Sequence, residues 1–345
     1  MKKIILNILK FTLFLGIGVF FIWIFVRQLT AEQIDEIFVS IRNANYWWLS
    51  FSIVVGFLSH VARGWRSMLL LQPMGYKPSF KNSFFAVMVG YLANLALPRL
   101  GEVLRSSYLV KYENIPFQKS FGTIITERAI DMIIFLALFV IGLIIEFNRL
   151  YGYVETNVIN PMQEKLSGVV GNILLNILFG VAILGFVFIF IYRKKLGQMS
   201  IFKKMGNIIR GFFEGMLSVT KVKKPILFIF LSLMIWILYF FNVYVVYLAF
   251  AELRGLPITA ALSCLNFGAV AFMVVQGGIG LYPAIIAEIL SLYNAPIAVS
   301  YAAGWVGWSL QQIMVIVLGL IAIISASFSK SKYGLPETDK REDIS

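Results

Sequence analysis

The sequence predicts an all-α polytopic membrane protein, with six full crossings and two opposed re-entrant helical hairpins in an inverted repeat. Three observations carry that prediction. The chain of 345 residues is 59% hydrophobic and only 14% charged, where a soluble chain carries roughly 25% charged residues. Its apolar runs are continuous and of helix length, whereas a membrane β-barrel needs short segments of alternating polarity. Finally, two apolar runs are broken by Pro or Gly at corresponding places, around Leu97-Pro98-Arg99 and across 276–283.

In chain order, Lys2, Lys3 and Lys10 accompany an apolar run to Val26. The run is too long for a signal peptide and no small-residue cleavage site follows, so it reads as an uncleaved first crossing. Residues 28–45, with Glu32, Asp35, Glu36 and Arg42, are expected to form a polar, mildly acidic connection. Tyr46, Trp47 and Trp48 mark a membrane interface. A second crossing runs from there to about Leu71, with His60, Arg63 and Arg66 towards its far end. Residues 82–97 are apolar but short, about 24 Å at 1.5 Å per residue against a core of about 30 Å, and Pro98 stops them. A polar segment with Lys111, Glu113, Asn114 and Lys119 precedes a crossing from Gly122 to about Glu146. A mixed connection and a crossing at about 168–192 follow. Residues 193–224 carry nine Lys or Arg against Glu214 alone, and Phe202, Met205, Ile209, Phe212 and Met216 recur at helical spacing. That pattern predicts an amphipathic helix, about 197–220, lying in an anionic interface. Residues 225–250 cross again, 257–294 form the second broken stretch, and 298–325 cross last, before a polar tail at 330–345. A single transmembrane unit is expected over 1–329.

Shifting the sequence by 179 sets Pro78 on Pro257, Gly101 on Gly280, and Pro98-Arg99 on Gly277-Gly278; one residue more sets Asn114 on Asn294 and Pro116 on Pro296. The repeat halves are about 46–146 and 225–325. With re-entrant hairpins, the basic segments fall on one side and the acidic 28–45 loop on the other, as the positive-inside rule requires. Both termini are then cytoplasmic, and three crossings separate the copies, which makes them inverted. Spanning hairpins would give eight crossings and a poorer sorting of charge. The net charge of +13 therefore belongs to membrane orientation, and no nucleic-acid partner is expected.

Within this apolar chain, 94–131 holds Arg99, Glu102, Arg105, Glu127, Arg128 and Asp131, six charges that sum to zero. Each ion at membrane depth costs about 2.5–3.5 kcal/mol on insertion scales and persists where it pairs, lines a polar cavity or acts. The cluster reads either as a neutralised lock or, the favoured reading, as a polar cavity that also contacts substrate. Arg63 and Arg66, near a helix end, are expected to snorkel to headgroups, with phosphate contact as the alternative. His60 reads as a satisfied bundle residue rather than a proton relay. Gly277, Gly278 and Gly280 either permit tight packing or offer a backbone phosphate site. A helix starting at Pro98/Arg99 and another near Tyr282/Pro283 would present free N–H groups suited to phosphate. With one cysteine, Cys264, and one histidine, His60, disulfides and the usual thiolate or histidine metal centres are excluded. No metal or cofactor is expected.

At Asn94, Leu97-Pro98-Arg99, Gly101-Glu102, Arg105, Glu127-Arg128, Asp131 and Gly277-Gly278-Ile279-Gly280, the chain resembles the transmembrane region of lysylphosphatidylglycerol synthases, the flippase-like domain family. The resemblance runs from the second helix to the last. Two positions depart from it: Gln276 stands where the family usually has Pro, and Pro283 where it has Glu, with Glu288 further along. The resemblance implies a bacterial-type cytoplasmic membrane protein that moves a lipid or lipid-linked sugar between leaflets. The expected partners are membrane lipids with an anionic or phosphate-bearing headgroup. The family's soluble aminoacyl-transferring domain is not expected here, so the chain should not charge lipids with amino acids and reads as a non-enzyme. The alternatives are a membrane-embedded transferase using Glu102, Glu127 or Asp131 as general base, or an accessory partner of a membrane enzyme.

Overall fold

The computed structural model describes residues 29–97, 99–161 and 222–328, with isolated positions between 16 and 27. The expected first crossing, the crossing at 168–192, the amphipathic helix at 197–220, Pro98 and the tail at 330–345 lie outside the described residues. The described residues are helical, with no strand among them.

The expected connection at 28–45 is mostly a helix, α1 (Ala31–Asn43). Its start is built locally: the Thr30 hydroxyl accepts the Gln33 N–H (3.2 Å) and the Gln33 side chain accepts the Thr30 N–H (2.9 Å), a reciprocal capping box. Ile34, Ile37 and Ile41 then share one face, and Ile37 is buried with Ile41 packed beside it in the largest apolar cluster. α2 (Tyr46–Leu71) begins where the Asn45 side chain accepts the Trp47 N–H, and it packs along α7 (Pro225–Leu248), which opens on Pro225.

Two helix pairs follow the broken stretches. The first joins α3 (Phe80–Ala96) to α4 (Leu100–Glu113), and the second joins α8 (Ile258–Val274) to α9 (Leu281–Ser291). Their arms of 17, 14, 17 and 11 residues are all too short to span a core of about 30 Å straight. Glu113 closes the open end of the first pair: one carboxylate oxygen accepts from the Ser79 N–H (3.1 Å), the Ser79 hydroxyl (2.8 Å) and the Asn82 amide (2.6 Å). α5 (Phe117–Ile145) starts directly after Pro116, earlier than Gly122. The mixed connection after it opens as a short helix, α6 (Phe147–Val154), continued by a π-helical turn. α10 (Ile297–Ser327) is last. Among the described residues α5, α7 and α10 are long and apolar enough to cross a membrane, and they turn residues such as Ile144, Ile226 and Ile324 outward. The chain is a multi-helix membrane protein.

The backbone itself repeats. Leu97 and Val275 are extended, and Arg99 and Gly277 follow with φ of 66° and 64°. Asn114 and Asn294 are both left-handed, at 53° and 61°, two residues before Pro116 and Pro296. The tips therefore align Arg99 with Gly277, one residue off the register that the sequence shift of 179 gives. Packing obeys the same exchange of halves: α3 meets α10 as α8 meets α5, α4 meets α5 as α9 meets α10, and α2 meets α7. Close approach inside each pair needs glycine. A Cβ on Gly90 would lie 3.1 Å from the Gly101 carbonyl oxygen, and one on Gly268 would lie 2.7 Å from the Tyr282 ring.

Candidate functional site

The 94–131 charges do not neutralise one another as a set of six. Asp131 on α5 takes its partners from α2 instead: Arg63 Nη1 reaches Oδ2 at 2.8 Å, and Arg66 reaches Oδ1 and Oδ2 at 2.7 and 3.0 Å. Arg105 on α4 forms a two-bond pair with Glu127 (2.6 and 3.0 Å) and donates to the Ser67 hydroxyl (2.8 Å). Arg66 links the two pairs, 3.8 Å from Glu127. All five side chains are buried. This corrects the expectation that Arg63 and Arg66 snorkel. They lie beside Asp131, which is two helical turns' reach from no other cation, and a buried carboxylate holds whichever guanidinium meets it in planar, two-bond geometry. Arg63 is further fixed by donating Nε to the Tyr239 hydroxyl at 2.7 Å, and its guanidinium sits 5.9 and 5.5 Å from the Tyr91 and Tyr239 ring centres.

Glu102 and Arg128 form a separate, looser pair at 3.4 Å, with the Arg128 side chain 49% exposed. Arg99 is exposed and makes no ion pair among the described residues. At the start of α4 the backbone donors are partly taken: Leu100 N–H bonds to the Leu97 carbonyl (3.3 Å), and Gly101 N–H to the Asn94 side chain (2.7 Å). The expected set of free N–H groups is therefore reduced, because Asn94 caps the helix from within the tip. At the second tip Leu281 N–H likewise bonds to the Ile279 carbonyl (2.8 Å).

The two tips touch. Gln276 donates its amide to the Asn94 carbonyl, and the Gly277 carbonyl accepts from Trp308 Nε1 (2.7 Å) and the Gln312 amide (3.2 Å) of α10. Beside this junction lies a cavity of about 570 Å³, large enough for a small ligand. Of the residues singled out in the sequence, Asn94, Arg63, Glu102, Arg128, Asp131 and Gly277 line it. Arg66, Arg105 and Glu127 stand behind the wall in the ion network, while Gly278 and Gly280 shape the second tip with φ of 66° and 72°.

Sequence reasoning left out much of the lining: Tyr91, Trp236, Tyr239, Asn242, Gln276, Gln311, Gln312 and Trp308. The signal available was a lone amide in an otherwise apolar crossing, as at Asn242 and Gln311. His60 lines the cavity too, with Nε2 at 3.4 Å from the Gln311 amide. Buried polar atoms without a partner among the described residues include His60 Nδ1, Glu102 Oε2 and Trp236 Nε1, all on lining residues. Buried polar atoms are normally satisfied, so these mark a place for a polar guest.

A family model described as the lysylphosphatidylglycerol synthase TM region matches residues 7–319. The chain is also 32% identical over 142 residues to the UPF0104 membrane protein MJ1595 of Methanocaldococcus jannaschii, a stretch that covers 40% of this chain and 41% of that protein. No solved structure gives a significant match.

Proposed function

This chain belongs to the lysylphosphatidylglycerol synthase transmembrane-region family, and from that premise we propose that it translocates a phospholipid or lipid-linked headgroup between leaflets. The observation that carries the reading is the cavity where two short helix pairs meet tip to tip. A headgroup crossing bare hydrocarbon loses its hydration; a cavity lined with paired charges, amides and aromatic rings replaces it, while the acyl chains stay in the bilayer. Arms too short to span, and helix packing that survives exchange of the halves, support re-entrant hairpins entering from opposite faces, the arrangement transporters place at the midplane. In this reading Arg128 and Arg99 are the cations available to a phosphate, Arg63 and Asp131 form the cavity's charged wall, and Arg66, Arg105 and Glu127 hold that wall in place. The membrane is the cytoplasmic one, with both termini inside.

The test is reconstitution in liposomes carrying fluorescent phosphatidylglycerol or a fluorescent polyprenyl phosphate, with an external quencher reading the inner-leaflet pool. Protein should deplete that pool well beyond protein-free vesicles, and Arg128→Ala should slow depletion at least tenfold. Equal depletion with and without protein for every lipid offered would remove translocation.

A further inference from the structure

The lining also selects the chemistry of what enters, and this step rests on the translocation reading above. The four ions on the wall (Arg63, Arg128, Glu102 and Asp131) cancel, so the cavity offers no net charge to a guest. Its unpaired groups are mostly acceptors. Asn242 is held by its NH2 end on the Ser52 carbonyl (2.7 Å), Gln276 on the Asn94 carbonyl, and Gln312 on the Gly277 carbonyl (3.2 Å). A backbone carbonyl only accepts, so these three amides cannot be flipped. Their oxygen ends take no donor from the described residues, and Glu102 Oε2 is likewise unpaired. Donors are present as well: Trp236 Nε1 is unpaired, and Asn94, whose oxygen is used by Gly101, keeps its NH2.

An ionised phosphate can only accept, and an ammonium can only donate. A hydroxyl does both. We infer that the moiety filling this cavity is an uncharged, hydroxyl-rich ring, of the sugar or cyclitol class, carried as the headgroup of a lipid, with any phosphate left at Arg128. The indole faces of Trp236 and Trp308 suit the flat, apolar face of such a ring. The unpaired amide oxygens take its hydroxyl protons, and Trp236 Nε1 donates to a ring oxygen.

Three probes with one six-carbon chain separate the possibilities: hexyl glucoside, hexyl phosphate and hexylammonium, each titrated onto the full chain in phosphatidylcholine nanodiscs. Cys264, the chain's single cysteine, is buried, so a thiol-reactive dye reports thermal unfolding without engineering. Hexyl glucoside at several times its dissociation constant should raise the midpoint by about 2–4 °C, and the other two should leave it in place. Trp236→Phe, which keeps the ring and removes the donor, and Gln311→Leu should each weaken the glucoside response several-fold. Should either variant fail to fold, the ranking of the three probes on the native chain decides alone. An equal or larger shift with hexyl phosphate or hexylammonium overturns the inference, as does no shift with glucoside. The two readings fail separately: lipid movement without glucoside binding leaves translocation and removes the sugar site, and glucoside binding without lipid movement does the reverse.

Discussion

The two halves share a backbone and differ in what holds it. Counted from the Asn-x-Pro turns at Asn114 and Asn294, Ile124 corresponds to Gly304, Glu127 to Gly307, Arg128 to Trp308 and Asp131 to Gln311. In the first half α5 is tied to α2 and α4 by Arg63, Arg66 and Arg105 around two carboxylates. In the second half α10 meets α9 through Gly304 against Pro283, among buried alanines such as Ala284, Ala287 and Ala303. Small-residue packing is how helices associate in lipid, where apolar contact alone gives no preference. Buried ion pairs add little, because desolvation offsets most of their attraction. The first half therefore carries ions that its fold does not need for cohesion. What they accomplish is position: Arg63 and Asp131 are set in the cavity wall, opposite the amides of the second half.

The largest effect that sharpens this contrast is at Asp131. Asp131→Asn keeps the shape and removes the charge, leaving Arg63 and Arg66 buried with only Glu127 at 3.8 Å from Arg66. Stripping one partner from a buried pair costs about 3–5 kcal/mol, so the thermal midpoint should fall steeply. Its counterpart change, Gln311→Leu, removes only a 3.4 Å contact to His60 and should cost about 1 kcal/mol or less. Similar midpoints for the two variants would mean that the ion network carries no special strain when broken.

An intermediate effect is expected where the second half is made to copy the first. Gly304→Ile installs the residue found at position 124, but a Cβ there would lie 2.8 Å from Pro283 Cα and 2.9 Å from its carbonyl oxygen. Backbone cannot yield as a side-chain tip can, and overpacking of this kind costs about 1–3 kcal/mol. An unchanged unfolding midpoint would show that α9 and α10 can stand as far apart as α4 and α5.

How much of this was legible in the sequence follows from the range of each signal. Tyr46–Leu71, Phe80–Ala96 and Pro225–Leu248 follow the apolar runs closely, because their ends are fixed by neighbours: an Asn cap, a Pro, a turn. α1 was hidden although its capping box is local, because the acidic residues on its outer face resemble those of a loop. The charge cluster was visible as six ions in lipid-compatible sequence, but its pairing was not. Asp131 lies 68 and 65 residues from Arg63 and Arg66, and only the packing of α2 on α5 sets that register. The amides were the least visible part of the site. Asn242 and Gln311 look like ordinary polar interruptions until the Ser52 and Gly277 carbonyls orient their neighbourhood around one cavity.

The smallest expected effect tests whether the charged tip is a matter of structure or of use. Arg99 and Gly277 hold the same left-handed conformation, φ 66° and 64°, which costs a residue with a Cβ about 1–2 kcal/mol and glycine nothing. Arg99→Gly relieves that strain, while the greater freedom of glycine in the unfolded chain returns about 0.4–1 kcal/mol. The net change should be a stabilisation of about 1 kcal/mol or less, seen as a slightly higher unfolding midpoint. If Arg99 meets the headgroup phosphate, lipid movement in liposomes should fall even as stability rises, a combination that a purely structural residue does not produce. Movement at the native rate with Arg99→Gly would take Arg99 out of the headgroup's path and leave Arg128 as the cation at the cavity.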